Sequence, residues 1–152
     1  MIQIEQVDIK QADRVFDLVS LLLTELSDDD DEFHGLDRTK ILADWQRNPE
    51  GFTVFIARAD DGAAVGIITL TETFAIYAGG SYGVIDELYV APEYRSRQVG
   101  HMLLERVKEH GRMRGWQRID VTAPLGTKWR RTVDFYLRDG FVHTGPKLRY
   151  RW

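Results

Sequence analysis

Residues 82–105 read YGVIDELYVAPEYRSRQVGHMLLE, and they decide how the rest of the chain is interpreted. An alternating apolar run that carries two acids, Asp86 and Glu87, ends before Pro92. A basic turn follows over residues 95–100, and a helical pattern begins directly after it. Backbone N–H groups in the first turn of a helix have no intrahelical partner, and the helix dipole favours negative charge there. The stretch therefore predicts a strand, a cationic loop and a helix start that together bind an anion such as phosphate.

The composition of the 152 residues predicts one globular domain that spans residues 1–152. A net charge of −4 argues against a general nucleic-acid binder, and no apolar run approaches the roughly 20 residues of a membrane span. The chain has no cysteine, which excludes disulfides, thiolate metal sites and a cysteine nucleophile. Because residues 1–10 do not resemble a signal peptide, we expect a cytoplasmic protein without nucleic-acid or membrane partners.

The spacing of the apolar residues predicts a mixed α/β fold with the order β-α-α-β-β-β-α-β-α-β-β and a mostly antiparallel front half. The predicted strands cover residues 2–9, 52–59, 64–76, 82–90, 117–122, 141–144 and 148–152. The predicted helices cover residues 12–26, 36–47, 98–113 and 127–138.

Two segments resemble a known family. The first, ELYVAPEYRSRQVG at residues 87–100, follows a pattern in which a strand ending in valine leads through x-Pro-x-Tyr-Arg into R-x-x-G-x-G/A. Arg95, Val99 and Gly100 match this pattern, whereas Gln98 stands where the family usually has glycine. The second, FYLRDGF at residues 135–141, resembles F-Y-x-x-x-G-F. On these segments and its element order the chain resembles the GNAT superfamily, which implies an enzyme that moves an acetyl group from acetyl-CoA to a primary amine.

The resemblance implies where the coenzyme binds. Backbone N–H groups of the turn would hold the pyrophosphate of acetyl-CoA, and Gly100 would allow close approach or simply let the helix pack near the strand. The side chain of Gln98 would point to solvent, donate a hydrogen bond or narrow the site. The preceding strand would splay at a bulge, so that its backbone binds pantetheine and polarises the acetyl carbonyl. The predicted coenzyme-binding residues are Leu88, Tyr89, Val90, Arg95, Ser96, Arg97, Gln98, Val99, Gly100 and Tyr136.

Two acids are candidates for the catalytic base. Acetyl transfer needs a neutral amine, so a group that accepts a proton is useful. Adjacent strand residues face opposite sides, and we therefore expect only one of Asp86 and Glu87 to reach the cleft. Strict alternation would place Glu87 on the same face as Ile85 and Tyr89. The resemblance slightly favours Asp86, and a salt bridge or strand-edge pairing stays an alternative for either acid.

The tyrosine of the second segment, Tyr136, is the predicted general acid for the departing thiolate. An unperturbed tyrosine has a pKa of about 10, so its phenol is protonated and able to donate at neutral pH. A buried aromatic on an amphipathic helix is the alternative. Many relatives carry N-x-x-A upstream, where this chain has Trp129 and Thr132. With no cysteine to carry the acetyl group, direct transfer in a ternary complex is predicted.

An acidic loop at residues 28–32 is expected to border the acceptor cleft and attract a cationic small-molecule or peptide amine, although a solvated loop is the plain alternative. The four histidines show no metal-ligand spacing, so we expect no metal. Exposed hydrophobic strands near the C-terminus also suggest a homodimer. The predicted acceptor-binding residues are Glu25, Asp28 and Glu72.

Two rival hypotheses remain. A non-catalytic GNAT-like module that senses acyl-CoA, or only mediates interactions, is motivated by Gln98 and the missing N-x-x-A pattern. A dinucleotide-binding enzyme with a Rossmann-like turn is disfavoured, because the chain lacks G-x-G-x-x-G and its front half is not built from βαβ units.

Overall fold

A five-stranded sheet in the order β1-β2-β3-β4-β5 organises this computed structural model, which describes residues 1–26, 36–124 and 126–152. Strands β1 to β4 pair antiparallel with their neighbours. The strands are β1 Gln3–Val7, β2 Phe52–Arg58, β3 Ala64–Ala75, β4 Gly80–Val90 and β5 Ile119–Val121. The helices are α1 Ala12–Leu26, α2 Arg38–Arg47, α3 Val99–Arg114 and α4 Arg130–Arg138. The mixed α/β class and the predicted order as far as α4 are confirmed.

The chain divides into two compact units, Met1–Asp120 and Val121–Trp152. The single domain predicted over residues 1–152 stays a prediction. Of the helices in the described ranges, none is long and apolar enough to cross a membrane.

The two strands predicted at the C-terminus are wrong. Residues 141–152 are all described and carry neither helix nor strand. Leu148, Tyr150 and Trp152 alternate as in a strand, yet all three side chains are exposed. Alternation indicates a strand only where a partner supplies hydrogen bonds, and two strands by themselves are marginally stable in water.

One face of the sheet packs against α1 and α2. Apolar residues of α1 recur about every third or fourth position, as expected for an amphipathic helix. Val15 and Val19 are two of those that lie in the core. Trp45 of α2 packs edge-on against Phe52, with ring centroids 4.9 Å apart. The strand residues in this core are Val7 of β1, Val54 and Ile56 of β2, Ile67 of β3 and Tyr89 of β4.

The opposite face packs against α3. A Cβ at Gly66 would lie 3.3 Å from side-chain atoms of Leu103 and Val99, so glycine lets the start of α3 approach β3. At the other end of α3, the ring of Trp116 lies over Gly83, where a Cβ would come within 2.2 Å of it. These contacts fix α3 at both ends and so set where its N-terminus lies.

Candidate active site

A β-bulge interrupts the pairing of β3 with β4. Thr69 lies opposite Glu87 and Leu70 lies opposite Ile85, so Asp86 is an extra residue in β4. Such bulges bend a strand, increase its twist and occur often beside active sites. The bulge expected in this strand is therefore present, and it falls on one of the two candidate bases.

The bulge places both acids on the same face of the sheet. The hydroxyl of Thr69 donates a hydrogen bond to the Glu87 carboxylate, and the hydroxyl of Thr71 donates one to the Asp86 carboxylate. Thr69 and Thr71 are two residues apart on a regularly paired part of β3, so their side chains share a face. The expectation that Asp86 and Glu87 face opposite sides is wrong.

The same extra residue changes the neighbours of Glu87. Ile85 pairs with Leu70 and lies on the α3 face, whereas Glu87 stays with Tyr89 on the α1 face. The predicted grouping of Glu87 with Tyr89 is confirmed, and its grouping with Ile85 is wrong. Strict alternation fails here because one unpaired residue shifts the phase of the strand by half a period.

The two carboxylates have different surroundings. Asp86 is exposed, whereas Glu87 is half-buried. Burial raises the pKa of Glu87 above its ordinary value, and the nearby charge of Asp86 raises this pKa further, while the Thr69 hydroxyl opposes the shift. The Glu87 N–H also donates to Thr69 Oγ1 at 3.1 Å, which fixes the threonine beside the carboxylate.

The end of β4 directs some of its backbone groups away from β3. The Ala91 N–H donates to the Val65 carbonyl at 2.8 Å. Backbone groups alternate in direction along an antiparallel strand, so those of Leu88 and Val90 point away from β3. These are backbone groups that the sequence predicted for pantetheine and for the acetyl carbonyl.

Arg95 folds back onto this strand end. Its Nε donates to the Val90 carbonyl at 2.8 Å, and its Nη2 lies 2.5 Å from Glu25 Oε1 in the last turn of α1. The guanidinium carbon lies 5.7 Å from the centroid of the Tyr89 ring. Two side chains predicted to bind different ligands, Arg95 and Glu25, therefore contact each other.

The turn before α3 contains strained backbone. Among the described residues, two that are not glycine have φ in the left-handed region, Ser96 at 63° and Gln98 at 68°. Glycine is the residue that adopts this region without a steric penalty, which explains why the family has glycine at the position of Gln98. The strain at Ser96 was not predicted from the sequence, although so short a turn before a helix is a signal for it.

The start of α3 can accept an anion. Gln98 occupies the N-cap position, and its side chain makes no capping hydrogen bond within the described residues. The side chain of Gln98 therefore does not occupy the N–H groups in the first turn of α3. An anion site requires such N–H groups to be available. Arg97 projects from the same turn, with its guanidinium carbon 5.3 Å from the Tyr94 ring centroid. The donor set of this turn fits a pyrophosphate.

Tyr136 lies in the second unit, on α4. Its ring packs edge-on against Phe135 and Phe141, with centroids 5.2 and 5.3 Å away, and its side chain is buried. Burial raises the pKa of the Tyr136 phenol above its ordinary value, so the phenol keeps its proton at neutral pH. The Phe141 N–H donates to the Tyr136 carbonyl at 3.1 Å, and Gly140 takes a φ of 93° to allow this helix end.

The predicted acceptor-binding residues Glu25 and Glu72 lie in different parts of the structure and have different partners. Glu25 pairs with Arg95, as described above. Glu72 lies on the α3 face, where it accepts hydrogen bonds from Arg114 Nε at 3.0 Å, Arg114 Nη2 at 2.7 Å and Trp116 Nε1 at 2.5 Å. Its hydrogen bonds to Arg114 are the main cause of its lowered pKa. Asp28 and the acidic loop at residues 28–32 lie outside the described residues.

The bulged strand, the turn and the helix start combine in a mixed α/β fold that is the fold of N-acetyltransferases. A structure of an aminoglycoside acetyltransferase from an uncultured soil metagenomic sample matches all of this chain and 99% of its own, with a TM-score of 0.83 and 19% identity. A predicted acetyltransferase from Clostridium acetobutylicum, solved with acetyl-CoA, matches 99% of this chain and 96% of its own, with a TM-score of 0.78 and 16% identity. These likenesses establish the fold.

The chain belongs to the acetyltransferase (GNAT) family, whose sequence model matches residues 16–141. It is similar to the aminoalkylphosphonate N-acetyltransferase of Salmonella typhimurium, at 32% identity over 81 residues. That match covers 53% of this chain and 51% of the relative. The chain spans about half the length of the curated relatives it matches.

Proposed function

We propose that this protein transfers the acetyl group of acetyl-CoA directly to a primary amine within a ternary complex. The observation that carries the proposal is the bulge at Asp86, which sets two carboxylates on one face of the strand that leads to the turn and to α3. Membership of the acetyltransferase family supports the same reaction.

Glu87 is the proposed base. Its buried setting raises its pKa towards the range in which a carboxylate accepts a proton efficiently, and Thr69 orients it. Glu87 accepts the proton that the amine loses as the C–N bond forms. Asp86 is exposed on the same face, where its charge favours a cationic acceptor.

The donor half of the reaction uses backbone groups. Acetyl-CoA, when bound, supplies an activated thioester. N–H groups at the end of β4 polarise its carbonyl, and the turn with the first turn of α3 holds its pyrophosphate. Tyr136 donates a proton to the thiolate that is released as the C–S bond breaks. The phenol carries its proton at neutral pH, as a donor must, although burial also makes it a weaker acid than an exposed tyrosine.

The proposed acceptor is a small, cationic amine. The aminoalkylphosphonate acetyltransferase among the relatives, and the aminoglycoside acetyltransferases among proteins of the same fold, carry names that refer to small amines. The exposed carboxylate of Asp86 would attract a positive charge beside the reacting amine, which supports a cationic acceptor.

Two measurements test the proposal. Isothermal titration of the full chain with acetyl-CoA should show binding, and failure to bind at millimolar coenzyme would reject the donor. Release of free thiol is then followed across a panel of aminoalkylphosphonates, polyamines, aminoglycosides and peptides. Turnover with at least one amine is expected, and the chosen amine serves the experiments below.

A non-catalytic acyl-CoA sensor is the second candidate. The strained Gln98 favours it, because Gln98 stands in the coenzyme turn at a position where the family has glycine, which adopts this backbone without a steric penalty. Tight binding of acetyl-CoA without turnover of any amine in the panel would support this alternative.

A further inference from the structure

We propose that Arg95 is a positioning residue, which holds the end of β4 against α1 through Glu25, and that it is not a ligand of the coenzyme phosphates. This inference rests on the proposed acetyl transfer. It assigns to Arg95 and Glu25 a shared role that differs from the two separate ligand contacts expected from the sequence.

Two of the three guanidinium nitrogens of Arg95 already contact the protein. Nε is bonded to the Val90 carbonyl, and Nη2 meets the Glu25 carboxylate at 2.5 Å. A phosphate that binds at Nη2 would have to displace the Glu25 carboxylate, and one that binds at Nε would have to displace the Val90 carbonyl. Arg97, in the same turn, contacts an aromatic ring of Tyr94 and is the cation more available to an anion.

The Arg95 contact controls a backbone group that the reaction needs. The N–H and C=O of one strand residue point to the same side of the strand. A hydrogen bond that fixes the Val90 carbonyl therefore also fixes the direction of the Val90 N–H. That N–H belongs to the stretch proposed to meet pantetheine and the acetyl carbonyl.

Glu25 gives Arg95 a rigid anchor. It lies in the last turn of α1, a helix held in the core by buried residues such as Val15, Phe16 and Val19. Tyr89, beneath the guanidinium, belongs to the same core. The pair thus ties the strand end to a helix that is packed in the core of the first unit.

The test compares two acetyl donors with the full chain. One is acetyl-CoA, and the other is the acetyl thioester of N-acetylcysteamine, which keeps the thioester and an amide but carries no phosphate. Glu25→Gln and Arg95→Lys should each lower kcat/KM by about tenfold with both donors, because they displace the strand end. A loss seen only with acetyl-CoA would make Arg95 a phosphate ligand and overturn the proposal, as would no loss with either donor.

Glu5→Gln is the matched control. It breaks a second Arg–Glu ion pair, whose exposure is similar to that of the Arg95–Glu25 pair. In this second pair, Nε of Arg58 on β2 lies 2.9 Å from Oε1 of Glu5 on β1. An exposed pair of this kind contributes little, so kcat/KM should change by less than about twofold. A loss equal to that of Glu25→Gln would show that general weakening of the fold, and not positioning, causes the effect.

Amide hydrogen exchange supplies a readout that does not need turnover. Glu25→Gln should speed exchange at Val90 and Ala91, whereas Glu5→Gln should leave those amides at their wild-type rates. Unaltered exchange in Glu25→Gln would overturn the positioning role. If wild-type protein turns over no amine, the proposed reaction fails separately, and exchange alone then decides whether Arg95 holds the strand end.

Discussion

Ser96 and Gln98 each hold a backbone conformation that costs an L-residue about 1–2 kcal/mol. Strain of this kind persists where the surrounding structure requires one backbone path, and it concentrates at functional sites. In this chain the required path is the turn that leads from β4 into α3. A glycine at either position would keep the path and remove the strain.

Gln98→Gly is expected to raise the free energy of unfolding by about 1 kcal/mol, because glycine adopts positive φ without a Cβ clash. Urea denaturation of the two proteins measures the difference. Arg97→Gly is the control, since Arg97 has no positive φ and glycine there should lower stability by about 0.5–1 kcal/mol. A less stable Gln98→Gly protein would mean that the glutamine side chain contributes more than the strain costs.

Glu87→Gln is expected to lower kcat by about 10²-fold or more and to remove the acidic limb of the pH profile of kcat/KM. A base works only when ionised, and burial raises the pKa of Glu87 above its ordinary value of 4.5. Wild-type kcat/KM should therefore rise with pH through a pKa above 4.5. Rates measured across pH for Glu87→Gln and Asp86→Asn decide between the acids. A limb that disappears with Asp86→Asn instead would make Asp86 the base.

At the scale of elements, the bulge of β4 consists of one residue, Asp86, which has no partner of its own in β3. Removing Asp86 leaves Ile85 opposite Leu70 and Glu87 opposite Thr69. The strand would then alternate regularly, with every remaining side chain on its present face. What would change is the local twist that the bulge gives to the end of β4.

Deletion of Asp86 is therefore expected to leave a folded protein whose kcat/KM falls by about tenfold or more, because the strand end is turned away from its working position. Thermal melts and steady-state kinetics measure the two effects. Deletion of Ile85 is the control: it puts Asp86 into a buried place opposite Leu70 and should prevent folding. Equal stability of the two deletion proteins would contradict this account of the bulge.

Local sequence predicts helices and strands better than it predicts the bulges and long-range contacts that position them. The bounds of α1 matched the prediction, since its apolar face repeats with the helical period along 15 residues. The bulge could not be predicted from alternation, because the phase of β4 at Asp86 is set by its pairing with β3. The contact of Arg95 with Glu25 joins residues 70 apart, which no local pattern encodes. The C-terminal alternation was visible, but a strand also needs a partner.

For the whole molecule, two glutamates on opposite faces of the sheet affect stability with opposite signs. Glu72 has a lowered pKa because of its hydrogen bonds to Arg114, so it stabilises the fold above its unfolded pKa. That stability is lost as pH falls through the folded pKa. Glu87 has a raised pKa because it is buried, so stability is lost as pH rises through its folded pKa.

The Glu72→Gln and Glu87→Gln proteins should therefore differ from wild type in opposite directions in their free energy of unfolding at neutral pH. Glu72→Gln is expected to be less stable than wild type by on the order of 1 kcal/mol, and Glu87→Gln more stable. Both differences should shrink towards pH 4, where the carboxyl groups of wild type begin to be protonated in the unfolded chain. Urea denaturation at pH 7 and at pH 4 measures this. A destabilised Glu87→Gln protein at pH 7 would show that the carboxylate is not penalised by its burial.

The setting of Trp116 gives this protein an internal optical probe. Its indole N–H donates to Glu72, and its ring centroid lies 5.4 Å from that of His110. Burial, followed by the charges of Arg114 and Arg106, lowers the pKa of His110, so the imidazole gains its proton only on the acid side of its ordinary range. A positive charge that appears beside the indole changes the electric field on the ring. Trp116 fluorescence should therefore report, without any label, the acid titration of the contact that fixes the end of α3 to the sheet.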